Sequence, residues 1–232
     1  MRIVTWNCAG ALRRKTAAVD ALGADILVVQ ECENPATTAD AAYADWAGNH
    51  VWAGALKHKG IGVFARNGAT VEALDWEDDG LALFLPVRID GRFDLLAAWT
   101  QAVVPSTFSY IGQFWHYLQR HRAALGPEAL ICGDLNSNAI WDRPTRHWNH
   151  SDCVRELDER GFVSLYHRAT GEAQGAESRP TFYLYRNPAK PFHLDYVFAH
   201  ADRVPPGWSA LAVGDPAGWL ALSDHMPVIV DL

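Results

Sequence analysis

Ala129-Leu130-Ile131-Cys132-Gly133-Asp134-Leu135-Asn136 is an apolar run that breaks into glycine, acid and amide. Four apolar residues in succession, bounded by polar turn formers, read as a short strand buried on both faces. Taken alone, Gly133-Asp134 is a turn, because Gly, Asp and Asn are the commonest turn formers. The same design recurs along the chain. Asn7 follows Ile3-Val4-Thr5-Trp6, and Glu31 follows Ile26-Leu27-Val28-Val29-Gln30. Asp195 sits inside Phe192-His193-Leu194-Asp195-Tyr196-Val197, and Asp224-His225 precedes Met226-Pro227-Val228-Ile229-Val230. Carboxylates and amides beside β cores are costly to bury unless paired or bound to a cation. Several of them at sheet edges make an oxygen-rich site of the kind that hard divalent cations such as Mg²⁺ take.

Outward from these strand ends, the pattern predicts helices over 11–22, 39–47, 110–125 and from Ser151 to about Arg160, the last capped by Ser151 and stopped by Gly161. Strands are expected at 3–7, 26–29, 60–66, 69–76, 81–89, 93–99, 129–132, 181–186, 194–198, 210–213 and 227–231, with Asp90-Gly91 as a hairpin turn. Few helices among many strands, without internal repeat, predict packed β-sheets flanked by helices. The absence of GxGxxG and Walker A patterns argues against a doubly wound nucleotide cradle.

The chain has 232 residues, of which 49% are hydrophobic and 20% charged, a balance that excludes a mostly disordered protein. Charge is spread evenly and no linker interrupts it, so one domain over 1–232 is expected. Twenty basic against 27 acidic residues leave a formal charge of −7, which does not advertise a constitutive grip on nucleic-acid backbone. The chain opens directly on a strand, and no apolar stretch is long enough to span a membrane. A cytoplasmic monomer is the expectation. Four widely spaced cysteines form no CxxC pair and read as free buried thiols; Cys8 and Cys32, each following a site residue, should point away from the site by strand alternation.

Thr5-Trp6-Asn7, Gln30-Glu31, Gly133-Asp134-Leu135-Asn136, Leu194-Asp195-Tyr196 and Ser223-Asp224-His225 together resemble, in order and spacing, the endonuclease/exonuclease/phosphatase superfamily. Lys59-Gly60-Ile61-Gly62-Val63 resembles its early central strand. The resemblance implies a four-layer α/β sandwich, two packed mixed β-sheets flanked by helices, with the site at one sheet edge. It also implies a Mg²⁺- or Mn²⁺-dependent hydrolase of phosphodiester bonds, with nucleic acid as the expected partner and water as nucleophile. By the same resemblance, Glu31 is the principal metal carboxylate, Asn7 supports the metal and its water, and Asp224 completes the metal network. Asp134 orients or deprotonates the attacking water, Asn136 helps hold the phosphate, and Asp195 orients His225, which contacts the scissile phosphate.

The sequence departs from the pattern where the strand 93–99 ends. The family usually places His or Tyr there, and this chain has Trp99, whose indole donates one hydrogen bond but cannot act as an acid. Gln101, and after it Tyr110, is the expected replacement. The 137–150 loop interleaves Trp141, Arg143, Arg146 and Trp148, which suits stacking on bases and holding phosphates but equally suits a small core internal to the loop. Arg186 belongs to a second candidate rim, and Arg13-Arg14-Lys15, soon after Asn7, suits steering of an anionic substrate but equally suits a solvated first helical turn. An open groove lined by Arg143, Arg146 and Arg186 favours a polynucleotide. A closed pocket roofed by Trp141 and Trp148 favours the alternative, a small phosphorylated metabolite or lipid headgroup.

Overall fold

A computed structural model describes residues 1–104 and 106–232. In chain order the strands and helices are β1 (Arg2–Asn7), α1 (Thr16–Asp20), β2 (Ile26–Cys32), α2 (Ala41–Ala47), β3 (His50–Leu56), β4 (Lys59–Ala65), β5 (Val71–Ala73), β6 (Phe84–Ile89) and β7 (Phe93–Trp99). There follow α3 (Ile111–Arg120), β8 (Leu130–Asp134), α4 (His150–Asp158), β9 (Phe162–Ser164), α5 (Leu165–Thr170), β10 (Phe182–Tyr183), β11 (Pro191–Phe192), β12 (Asp195–His200), β13 (Leu211–Val213), α6 (Pro216–Trp219) and β14 (Val228–Asp231).

Two six-stranded sheets form, in the orders β13-β14-β1-β2-β4-β3 and β5-β6-β7-β8-β12-β9. Each is mixed in the same way, with one parallel pair at its centre (β1 with β2, β7 with β8) and antiparallel neighbours elsewhere. Alternation along the strands sorts the side chains into three cores. Ile3, Ile26, Val28, Ile61 and Val63 meet Leu95, Ala97, Leu130, Cys132, Val197 and Ala199 between the sheets. Val4, Trp6, Leu27 and Val29 face outward under Val19 of α1 and Tyr43 and Ala47 of α2. Leu96, Ala98, Ile131 and Phe198 face the other way, under Phe114, Tyr117 and Leu118 of α3 and Leu157 of α4. The expected four-layer sandwich is therefore present.

The parallel pair β7–β8 depends on one glycine. Gly133 lies opposite Ala98 with φ +145°, and a Cβ there would stand 1.8 Å from the Ala98 carbonyl oxygen. Gly133 is thus a close-approach residue inside the strand, and the break it signals in the sequence comes one residue later.

Several elements differ from their sequence expectations. The helix expected over 11–22 is a 3-10 turn, Leu12–Arg14, followed by the five-residue α1. Lys15 interrupts it, turning its ammonium back onto the carbonyls of Cys8 and Gly10. The helix expected from Ser151 begins earlier, with Asn149 as its cap, because Asp152 accepts the Asn149 backbone N–H at 2.8 Å. Strand β3 was not expected; it is the edge strand of its sheet and lies only half-buried for most of its length, so it lacks a clean alternating signature. All four cysteines are free and buried, with Cys8 and Cys32 in the outward-facing core. Burial pushes the Cys8 thiol up to about 12. Among the described residues no helix is long and apolar enough to cross a membrane.

Candidate active site

The parity that builds the inter-sheet core also builds the site. Asn7 continues the inward row Ile3, Thr5; Asp134 continues Leu130, Cys132; Asp195 begins the row Val197, Ala199. Asp195 and Asp134 are directly paired across β12 and β8, and Trp99 is paired with Asp134 across β7 and β8. Where the two sheets end, the inward faces stop presenting hydrocarbon and present polar groups. Glu31 breaks this parity. Simple alternation from Leu27 and Val29 would send it outward, but β2 carries a bulge between Gln30 and Cys32, and Glu31 sits in it with φ +63°. The extra residue leaves Glu31 beside Asn7 while Cys32 stays in the outer core.

Asp134, Asp195 and His225 are all buried, and one ligand atom from each lies within 4.8 Å of the others. His225 Nδ1 stands 2.9 Å from Asp195 Oδ2, and its Nε2 stands 3.9 Å from Asp134 Oδ2. Asp134 Oδ1 accepts the Asn136 backbone N–H at 2.8 Å. Its Oδ2 accepts Nδ2 of Asn7 at 3.0 Å and Nδ2 of Asn136 at 3.1 Å. Burial pushes the Asp134 carboxyl upward, and the nearby Asp195 charge adds to this, against the pull of His225 and the donated hydrogen bonds. Burial alone would lower His225, yet the charges of Asp195 and Asp134 outweigh it and hold the imidazole well above its ordinary value. One imidazole nitrogen is thus tied to Asp195 and the other is turned toward Asp134.

The remaining residues hold this centre in place. Ser223 Oγ donates to the Asn7 carbonyl at 2.7 Å and accepts the His225 backbone N–H at 3.0 Å. Thr181 Oγ1 accepts the backbone N–H groups of Leu194 and Asp195 at 2.9 and 3.0 Å. Phe182 packs on the His225 ring with centroids 4.6 Å apart. Asn7 Oδ1 accepts the Ala9 N–H, which turns the amide nitrogen of Asn7 toward both Asp134 and Glu31. Asn136 adopts φ +45° and also donates Nδ2 to the Thr100 carbonyl at 3.0 Å. Asp224 is half-buried beside this network, and its carbonyl accepts from Tyr183. Glu31 Oε2 stands 3.1 Å from the Lys59 ammonium, which in turn lies 5.3 Å from the centre of the Trp99 ring.

Two cavities adjoin the centre at Asn136, which contacts Asp134. One, of about 460 Å³, is lined by Glu31, Lys59, Trp99, Gln101, Tyr110 and Asn136 among others. The second, of about 590 Å³, is lined by Tyr110, Asn136, Asn138, Trp141, Arg143 and Arg146 among others. They share Ala102, Tyr110 and Asn136. Six of the eight residues expected to meet substrate therefore line this double cavity, and two lie elsewhere. Trp148 gives its indole N–H to the Thr107 carbonyl and packs on Phe108, so it does not join Trp141 in roofing a pocket. Arg186 spans the carbonyls of Ala221 and Leu222. Arg13 is paired with Glu33. Lys59, Thr181 and Phe182 carry no site signal in the sequence, because their roles arise only from contacts with residues remote in the chain.

A model of the Endonuclease/Exonuclease/phosphatase family matches residues 4–225. No curated protein matches the sequence. Among solved structures, an AP endonuclease from Archaeoglobus fulgidus is similar with TM-score 0.70 and 21% identity, each chain covered in full. A 3'-5' exonuclease (NExo) from Neisseria meningitidis is similar with TM-score 0.68 and 17% identity, covering 100% of this chain and 99% of that one. A truncated TDP2 from Caenorhabditis elegans is similar with TM-score 0.64 and 18% identity, covering 98% and 95%. At these identities the structural likeness speaks for the fold, and the family match, spanning all five strand-end motifs, speaks for more: the chain belongs to the Endonuclease/Exonuclease/phosphatase family and is a phosphoric ester hydrolase.

Proposed function

We propose that this chain is a divalent-cation-dependent phosphodiesterase acting on DNA or RNA. The observation that carries the reading is the double cavity: it meets at Asn136, beside Asp134, and its larger half is lined by Trp141, Arg143 and Arg146. An aromatic face beside two guanidinium groups suits a chain of bases and phosphates more than a compact metabolite. Trp148 packs on Phe108 and does not roof this half. Solved structures of this fold include TDP2 from D. rerio complexed with a single-strand DNA product and a Neisseria 3' phosphatase bound to a product DNA hairpin.

The donor set fits a hard cation. The Glu31 carboxylate already faces one positive group, the Lys59 ammonium, and buried Asp195 Oδ1 has no hydrogen-bond partner among the described residues. Glu31, with Asp224 nearby in the network, would hold Mg²⁺ or Mn²⁺; Asn7, with its amide nitrogen turned inward, positions the carboxylates. Such a cation, when bound, offsets the negative charge that makes a phosphodiester resist attack. The protein's own groups supply the rest. Asp134, held by three N–H donors and pushed upward by burial, accepts the proton that water loses on attacking phosphorus. His225, fixed by Asp195, donates from Nε2 to a phosphate oxygen where charge develops. Asn136, whose N–H groups are all given to Asp134 and the Thr100 carbonyl, fixes the Asp134 carboxylate where the two halves of the cavity meet. The ester P–O bond breaks, and the leaving oxygen takes a proton from solvent.

A panel of single-stranded DNA, duplex DNA, RNA, sugar phosphates and phospholipids, each with Mg²⁺, Mn²⁺ or EDTA, tests the reading. Cation-dependent cleavage of a polynucleotide, abolished in Glu31→Gln, is the expected result. Turnover confined to the sugar phosphates or the lipids would overturn it in favour of a small-substrate hydrolase.

A further inference from the structure

Lys59 opens β4, next to the hairpin turn from β3, and stands across from the Glu31 bulge of β2. Its ammonium has three donors and meets one carboxylate oxygen, Glu31 Oε2 at 3.1 Å, and one indole face, that of Trp99. Trp99 itself is fixed, buried to 5% exposure and paired with Leu83 through both backbone groups at 2.9 Å. The Lys59 side chain keeps 46% exposure, and the side it exposes is the wall of the 460 Å³ cavity. Among the described residues lining that cavity, Lys59 is the only cationic one, and Asn136 stands on the same wall. An anionic phosphate in this half of the cavity has no other positive side chain to meet.

We infer that Lys59 is a phosphate-binding residue of the substrate site, held on the Trp99 indole, which rests on Glu31 until a divalent cation takes that carboxylate. The inference rests on the function proposed above. A divalent cation at Glu31 competes directly with the ammonium for the same carboxylate, since two cations cannot share it at ion-pair distance without repelling each other. Displaced from Glu31, the ammonium remains over the Trp99 face by cation–π attraction. It is then the nearest unpaired positive charge for a phosphate oxygen in the cavity. One side chain thereby couples cation binding to substrate binding, and this explains what an indole does at a strand end that faces a phosphate: it carries a cation rather than donating a proton.

Three measurements on Lys59→Met, Lys59→Arg and the control Lys57→Met decide the matter. The first is a calorimetric titration of substrate-free protein with Mn²⁺. The second is a titration of the Mg²⁺-saturated protein with inorganic phosphate. The third is the steady-state hydrolysis of bis(4-nitrophenyl) phosphate. Lys59→Met is expected to bind Mn²⁺ several-fold more tightly, because the competing ammonium is gone. It is expected to bind phosphate more weakly and to raise KM by roughly ten-fold, with kcat changed much less, because a charge-assisted contact of the ground state is lost. Lys59→Arg should restore the KM, and Lys57→Met should match the wild type throughout. Unchanged Mn²⁺ affinity together with unchanged phosphate affinity in Lys59→Met would overturn the inference, as would Mn²⁺ binding weakened in that variant. Should the wild type hydrolyse no phosphodiester at all, the proposed function fails, while the two titrations still decide the role of Lys59.

Discussion

His225 Nδ1 and Asp195 Oδ2 lie 2.9 Å apart, both buried, joining a loop after α6 to the first residue of β12 across 30 positions of sequence. Burial works against an imidazolium here, and the Asp195 charge, with that of Asp134, outweighs it.

Asp195→Asn removes that offset while keeping the shape of the side chain. The raised proton affinity of His225 comes largely from the Asp195 charge acting against burial, so the variant lets burial pull the imidazole down. The imidazolium form is then lost at lower pH. We expect kcat at neutral pH to fall by about 10²-fold or more. The alkaline limb of the pH–rate profile should move toward acid. A profile recorded from pH 5 to 10 checks both; an alkaline limb in the same place would separate His225 protonation from catalysis.

Thr181→Val should destabilise the fold without touching the side chains of Asp134, Asp195 or His225. The buried hydroxyl accepts two backbone N–H groups, from Leu194 and Asp195, and valine leaves both without a partner. A loss of about 1–3 kcal/mol is expected for unsatisfied buried donors, read as a lower urea midpoint. Thr181→Ser keeps the oxygen and should recover most of the loss.

Thr181 also shows what could and could not be read along the chain. Asn7, Asp134 and Asp195 are legible because strand parity is a local rule: each continues or begins an inward row. Glu31 is legible only as the residue after an apolar run, since the rule of alternation points it outward and the bulge that turns it inward depends on pairing with β4. Thr181 and Lys59 look like any threonine or lysine, since their partners are 13 or more positions away. The aromatic and basic loop 137–150 shows the converse. Its composition suits nucleic acid throughout, yet folding divides it: Trp141, Arg143 and Arg146 face the cavity, and Trp148 packs on Phe108.

Glu177 sets an acid limit on stability. Its side chain is 3% exposed, and burial would raise its carboxyl, but hydrogen bonds from His167, Asn138 and the Gly175 N–H outweigh burial and bring it down to about 2 from 4.5. The folded value lies below the unfolded one, so the unfolded chain binds the proton first as pH falls. The contribution is therefore complete above about pH 4.5 and is lost between there and pH 2. At 1.36 kcal/mol per pH unit it amounts to about 3 kcal/mol. His150, which burial lowers to about 4, adds a loss of the same sign at higher pH, between its unfolded value of 6.5 and 4. Urea unfolding at pH 7, 5 and 3 should show a fall at each step. Glu177→Gln should be less stable than the wild type at pH 7 and should lose less between pH 5 and 3; equal losses in the two proteins would remove Glu177 as the cause.

Under the proposed function, Arg143 and Arg146, which line the larger cavity, are the residues through which a net charge of −7 is to be reconciled with a polyanionic substrate. A chain this acidic repels nucleic acid at a distance, so binding must come from local phosphate contacts. Each contact to a single strand releases counterions and contributes about 0.7 to the slope of log K against log salt. Binding of a fluorescent single-stranded oligonucleotide to EDTA-treated protein, measured from 50 to 300 mM salt, reads this slope directly. Replacing either arginine by alanine should weaken binding and reduce the slope by a little under one, and replacing both should reduce it by about twice as much. Arg186→Ala is the useful contrast, since that guanidinium is occupied by the carbonyls of Ala221 and Leu222 and should leave the slope where it was. A slope that falls for Arg186→Ala and not for the other two would place the nucleic acid on the opposite rim, away from Trp141.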